Sequence, residues 1–280
     1  MSNIPVFESP RALRLAIREG RWRGFTNAHA QRYVQGNLMI LPASHADEFF
    51  EFCRANPQAL PLLGRSQPGV PFIPSLGDDL DLRTDVGGYT VFRDGVAVGT
   101  PASIGDLWRD DLVAFVLGCS FSFETLLRNN GVRLRHLEEG NVSAMYVTSI
   151  PTVSRGAFGG PLVVSMRALS PGDAIRATLV SSRHPMFHGA PVHIGLPGLI
   201  GIEDLTQSYG GHGLTQLHAN ELPVFWACGA TAQLAAMHAR LPFCVTHHKA
   251  HMVVTDVHID DLIELPCFTG WRGGCNSIQG

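Results

Sequence analysis

Two cysteines occupy matching points of this sequence, each at the end of an apolar run and directly before a segment with helical spacing. The first unit is Ala114-Phe115-Val116-Leu117-Gly118-Cys119-Ser120, followed by Phe121 to Leu127. The second is Pro223-Val224-Phe225-Trp226-Ala227-Cys228-Gly229, followed by Ala230 to Met237. Ligands of open α/β sheets bind where strands end and helices begin. A thiol at that point faces the positive end of a helix, which favours the thiolate. Cys119 and Cys228 are therefore the expected catalytic pair, one as base and one as acid. Set against this, buried cysteine also packs as an ordinary small hydrophobe.

Dehydrating an acid, or inverting its α-carbon, begins by removing a weakly acidic proton beside a carboxylate. That step needs a base, an acid and donors for the developing charge. Ser120, Ser122, Thr231 and the amides around Gly229 could hold a carboxylate at the helix starts, with Gln233 beside them. Arg83 and Arg167 are candidate carboxylate clamps, because a guanidinium matches that group bidentately. Asp85 could orient an arginine, and Glu124 could do the same or act as an acid/base group. The simpler readings are a loop ion pair for Arg83 between Asp81 and Asp85, and stabilisation of a helix dipole for Glu124. His247, at a strand end, suits general acid/base work near neutrality.

His188 and His193, or His247 and His248 with His251, offer nitrogens for a metal that Asp204 or Asp256 could join. Their spacing fits no zinc pattern and no Cys-x-x-Cys pair accompanies them. No metal is therefore expected, and His193 is assigned to the substrate instead. No cofactor is expected either. Lys249 is the only lysine and so the only residue able to form a pyridoxal-phosphate Schiff base. Glycine fingerprints for dinucleotides or P-loop phosphates are missing.

The 280 residues, 45% of them hydrophobic, suit a globular protein able to bury a large core. A net charge of −3 gives no footprint for nucleic acid or an anionic membrane. Met1 to Pro10 is polar, without the apolar segment of a secretory leader, and no apolar run is long enough to span a bilayer. Six scattered cysteines do not resemble a disulfide framework. A cytoplasmic protein is expected, with a small carboxylate or amino acid as its partner and a homo-oligomer left open.

Elements must position these groups. Helical spacing runs over Arg11 to Glu19, after Ser9-Pro10, and over His45 to Cys53 behind Ser44. Strands are expected at Asn37 to Leu41, Val142 to Ile150, Gly160 to Arg167, Phe243 to Thr246 and Met252 to Asp256. Tyr89 to Val98 has the pattern of a hairpin, turning at Arg93-Asp94-Gly95. Asp173 to Val180 should be a helix. Pro61 to Asp85 should be a long functional loop, and Gly189 to Gly201 another. The Gly-rich tail from Pro266, with Cys267 and Cys275, has no evident role. Strands alternating with helices predict an α/β fold: a layered mixed sheet flanked by helices. The main domain is expected at 1–140 plus 221–280, with 141–220 as an inserted smaller α+β lobe.

The chain also resembles a known family, the hydro-lyases related to a region of animal D-glutamate cyclase. The resemblance runs from about Arg21 to Asp256. It is carried by Gln35-x-Asn37-Leu38-x-Ile40-Leu41-Pro42, Gly77-x-Asp79-Leu80-Asp81-Leu82-Arg83-Thr84-Asp85, Gly118 to Glu124, Val163 to Arg167, His188 to Gly195, Pro223 to Gly229 and Thr246-His247 with His251-Met252. It implies a two-lobed α/β fold and carbon–oxygen lyase activity, such as cyclisation of D-glutamate to 5-oxo-D-proline with loss of water. This chain departs from the family pattern at Arg32, Ala230, Ala232, His212 and Lys249-Ala250, the last standing in place of Pro-Gly. Exchanges of Gly or Pro alter the allowed backbone angles, which leaves room for a displaced loop and a different substrate. Two other readings of the paired thiols remain open: a cofactor-independent racemase or epimerase, and a non-catalytic small-molecule binding protein.

Overall fold

The apolar run Leu112–Gly118 forms a strand with every residue buried, and its two faces enter two different cores. Val113, Phe115 and Leu117 join one cluster, whereas Leu112, Ala114 and Val116 join another. Alternate side chains of a strand point to opposite faces, so a strand without polar positions must be covered on both sides. That requirement sets the layers of the molecule. The computed structural model describes residues 6–211 and 213–262.

The strands are β1 (Tyr33–Pro42), β2 (Leu62–Arg65), β3 (Tyr89–Arg93), β4 (Val96–Gly99), β5 (Leu112–Gly118), β6 (Ala144–Pro151), β7 (Pro161–Leu169), β8 (His193–Ile194), β9 (Leu222–Ala227), β10 (Cys244–His247) and β11 (Val253–His258). The α-helices are α1 (Pro10–Arg18), α2 (Ala43–Ala55), α3 (Phe121–Asn129), α4 (Arg135–Glu138), α5 (Pro171–Ser181) and α6 (Ala230–His238). Among the described residues seven strands form one sheet in the order β2-β5-β1-β10-β3-β4, with β11 also paired to β1; four form a second, in the order β6-β7-β9-β8. The ladders between these strands are antiparallel. The fold is α/β, with helices flanking both sheets.

The first core lies between the sheets. Met39 and Leu41 of β1 and Phe115 of β5 face Tyr146, Met166 and Phe225 of the second sheet, with Phe49 and Phe52 of α2 alongside. The outer face of the second sheet, Val224 and Trp226, is covered by Phe123 and Leu127 of α3 and by Ala174 and Ala177 of α5. Helix α5 starts as its sequence indicates, with the Ser170 hydroxyl accepting from the Asp173 amide at 3.2 Å.

Two local features differ from expectation. The long loop from Pro61 contains β2, which pairs with β5 through a register shift between Leu62 and Gly64; four residues and a bulge leave too short a pattern to read. Strand β1 is longer than expected and changes partner midway. Tyr33, Gln35 and Gly36 pair with β11, then Met39 and Ile40 pair with β10, which leaves a fork at Asn37–Leu38. The stretch 141–220 supplies β6, β7, β8 and α5, and β9 follows directly. Among the described residues no helix is long and apolar enough to cross a membrane. His212 and the tail with Cys267 and Cys275 lie outside the described residues.

Candidate active site

A cavity of about 870 Å³ opens where the ends of β5, β9 and β10 meet the fork in β1. Cys119, Ser120, Cys228, Gly229, Gln233 and His247 all line it. The two cysteine units therefore converge, although β5 and β9 belong to different sheets. Each thiol sits just ahead of a helix, α3 or α6. The Phe121 amide donates to Cys119 Sγ at 3.5 Å, and the Ala230 amide meets Cys228 in the same way.

Helix starts do not make these groups thiolates, and that expectation is corrected. Burial pushes the Cys119 thiol up to about 12; Cys228 and Glu124 add to the rise, while the Phe121 amide and Arg167 oppose it. Burial also raises Cys228, but there the Ala230 amide, Arg167 and Lys249 all pull the other way. Withdrawing a charge from water costs more than one helix turn returns. Both groups are thiols at neutral pH.

Arg167 does not line the cavity; it holds the floor from behind. Its Nη1 donates to Ser165 Oγ at 2.7 Å and its Nη2 to Ser120 Oγ at 2.8 Å, and both serines line the cavity. The guanidinium is buried against the rings of Phe123 and Trp226. Glu124 balances its charge, with Oε1 at 2.6 Å from Nη2 and 3.0 Å from His136 Nε2. Burial alone would raise Glu124; the charges and hydrogen bonds of Arg167 and His136 outweigh it and hold the carboxyl down at about 2. Glu124 is thus a fixed counter-ion behind the cavity rather than an acid or base in it.

His247 fills the fork in β1. Its Nδ1 accepts the Leu38 amide proton at 3.1 Å. Burial lowers its pKa to about 4, against that hydrogen bond, so the ring is neutral and carries its proton on Nε2. In this form His247 is a hydrogen-bond donor, not a base. Asn37, which the sequence reading did not select, also lines the cavity, and its Nδ2 donates to the Gly118 carbonyl at 2.7 Å. A Cβ on Gly229 would stand 2.2 Å from that nitrogen. The glycine is there for close approach, since its φ of −61° suits any residue.

Several expected substrate contacts lie elsewhere. Ser122 is buried and ties α3 to β1, its Oγ accepting from the Gln35 amide at 2.9 Å. Thr231 donates to the Cys228 carbonyl at 2.7 Å and closes the first turn of α6. His193 packs on Phe225, with Nε2 2.8 Å from the Leu196 carbonyl. Arg83 is ion-paired to Asp81 at 2.8 Å. Asp85 accepts from Arg18 at 2.6 Å and from the Asp81 amide at 2.9 Å. None of these five lines the cavity. A short-range sequence pattern cannot show which polar groups are already satisfied by the chain itself. Among the described residues no group of three or more His, Cys, Asp or Glu is arranged to hold a metal ion. His188 is buried, with Nδ1 2.9 Å from the Gln58 carbonyl.

The family known as D-glutamate cyclase matches residues 113–256, which contain both cysteine units, Arg167 and His247. The chain belongs to this family. A protein of Verminephrobacter eiseniae named "Putative hydro-lyase" is 53% identical over 92% of this chain and 93% of its own length. A relative of the same description from Rhizobium johnstonii is 53% identical over 90% of this chain and 93% of its own. Among solved structures, a nitrogen repressor-like protein from Methanococcus jannaschii aligns with a TM-score of 0.41 at 12% identity, over 91% of this chain and 97% of that one; a likeness at that level carries no argument. Membership of the D-glutamate cyclase family marks the protein as an enzyme, a lyase with a small-molecule substrate. The relatives lend no support to the racemase or to the binding protein.

Proposed function

We propose that the protein is a carbon–oxygen lyase acting on a small carboxylate or amino acid, and that its specific reaction is cyclisation of D-glutamate to 5-oxo-D-proline. The supporting observation is the convergence of Cys119 and Cys228, from strands of different sheets, on one cavity with His247. Unequal surroundings give the thiols unequal roles. Cys119, beside Glu124 and Cys228, keeps its proton and serves as the acid. Cys228, eased by Arg167 and Lys249, gives up its proton more readily and serves as the base.

In the cyclisation the amino nitrogen attacks the side-chain carboxyl carbon. A carbon–nitrogen bond forms and a carbon–oxygen bond breaks. The ammonium gives up two protons in all, by way of Cys228. The departing oxygen takes up two from Cys119, which is reprotonated by Cys228 after each transfer, and leaves as water. The His247 N–H and the Ser120 hydroxyl are donors for the oxygen that gains charge on the way, while Gln233 and the amides at Gly229 hold the second carboxylate.

Proton NMR of D-glutamate with the enzyme tests this: 5-oxo-D-proline should accumulate, and Cys119→Ser or Cys228→Ser should each abolish it without loss of folding. Full turnover in both variants overturns the thiol roles. In deuterated water, α-proton exchange with inversion and no water loss would replace the lyase by an epimerase.

A further inference from the structure

Lys249 is the single lysine of the chain, and it lies on the cavity wall. No Arg, Asp or Glu lines the cavity among the described residues. The ε-amino nitrogen is buried and has no hydrogen-bond partner among the described residues. Its loop is fixed on both sides. The His248 amide donates to the Gly88 carbonyl at 2.7 Å and the His251 amide to the His248 carbonyl at 2.9 Å. The Ala250 carbonyl accepts from the Thr26 amide at 3.0 Å. Ala250 itself is held at a φ of +62°, a region that favours glycine.

A buried cation without a counter-ion is costly, and desolvation accordingly lowers the Lys249 pKa, with Cys228 opposing. The chain resolves the same problem for Arg167 with Glu124; for Lys249 the described residues supply no carboxylate. Phe25, Phe121, Met145 and Tyr209 form apolar surface on the same cavity, and among the described residues Lys249 is the one lysine or arginine that an anion meets there.

We propose that Lys249 is the carboxylate anchor of this cavity, its ε-ammonium binding the anionic group of a small organic acid with no arginine on the wall to compete for it. The substrate class is taken from the lyase reading, but the binding event does not require turnover.

A single lysine makes the test direct. The protein is treated briefly with acetic anhydride, and acetylation of Lys249 is read by peptide mass spectrometry against that of a free lysine-containing reference peptide in the same tube. Glutarate and 5-oxo-D-proline should slow Lys249 labelling in a saturable way, by about tenfold or more at saturation, whereas glutaramide and 5-oxo-D-prolinamide should not. In titration calorimetry, Lys249→Met should weaken glutarate binding by about 10- to 100-fold, with Lys249→Arg retaining part of it. Labelling that responds to neither acid, or equally to acids and amides, overturns the anchor. So does a Lys249→Met protein that binds glutarate as tightly as wild type. Acid-specific protection with no turnover of D-glutamate supports the anchor and removes the lyase reading; turnover with an unchanged KM in Lys249→Met does the reverse.

Discussion

Arg167 Nη2 donates to Ser120 Oγ at 2.8 Å, joining a strand of the four-stranded sheet to the turn that follows β5 of the seven-stranded one. One guanidinium thereby fixes the relative position of the two halves of the cavity. Arg167→Met would leave Glu124 buried beside His136 alone. We expect it to lose about 3–5 kcal/mol of stability in urea denaturation. Arg167→Lys keeps the charge but cannot serve Ser120, Ser165 and Glu124 together. It should fold and lose about tenfold to hundredfold in kcat with KM little changed; a purely structural arginine would give no such split.

The raised thiols predict slow chemistry at neutral pH. Iodoacetamide should alkylate Cys119 and Cys228 far more slowly than free cysteine at pH 7, and the rate should climb with pH. Cys228, which faces two opposing cations, should react before Cys119, whose pKa is pushed to about 12. The acidic limb of the activity profile should belong to Cys228, so turnover should rise above neutrality. Rapid alkylation at pH 6 would show that the helix starts outweigh burial after all.

Acid should destabilise the protein in two stages. His188 and His247 are each lowered by burial from 6.5 to about 4. As pH falls below 6.5 the unfolded chain takes up protons that the folded chain refuses, so stability drops between 6.5 and 4. Glu124 is held from 4.5 down to about 2 despite burial. Its contribution is present above 4.5 and fades as pH falls toward 2, on the order of 3 kcal/mol in all. Chemical denaturation from pH 8 to 3 checks both, and His247→Asn should flatten the upper stage.

Gly229→Ala would place a Cβ 2.2 Å from Asn37 Nδ2. Asn37 would have to leave the Gly118 carbonyl, which it meets at 2.7 Å. We expect a cost of about 1–3 kcal/mol in thermal or urea unfolding, together with loss of activity as the two cysteine turns separate. Unchanged stability and turnover would mean that the cavity wall is softer than its contacts indicate.

Much of the cavity was legible in the sequence, because its lining is local. A run such as Val113 to Leu117 declares a strand covered on both faces. The cysteine that ends it must stand at a helix start, and Ser120, Gly229 and Gln233 follow by adjacency. The α/β class and the family were equally readable from ordered segments. Arg167 was singled out as a costly charge on an apolar strand, yet its partner Glu124 lies 43 positions away, so it reads as a substrate clamp until the fold is known. Asp85 misled for the same reason, since its partner Arg18 lies 67 positions away; for Arg83 the structure shows the simpler reading, an ion pair with Asp81 two residues before it. Lys249 was visible as a lone lysine in a turn that departs from the family pattern, but only its place on the cavity wall gives it a role.

By itself the amino-acid order determined the elements and the residue types available for chemistry, since backbone propensity and apolar periodicity act over a few residues. Tertiary structure decided that β5 and β9 end at a common cavity, that the sulfurs there keep their protons, and that a guanidinium works from behind the wall. Those outcomes depend on burial and on partners distant in the chain, and desolvation is set by everything packed around a group, not by its neighbours in sequence.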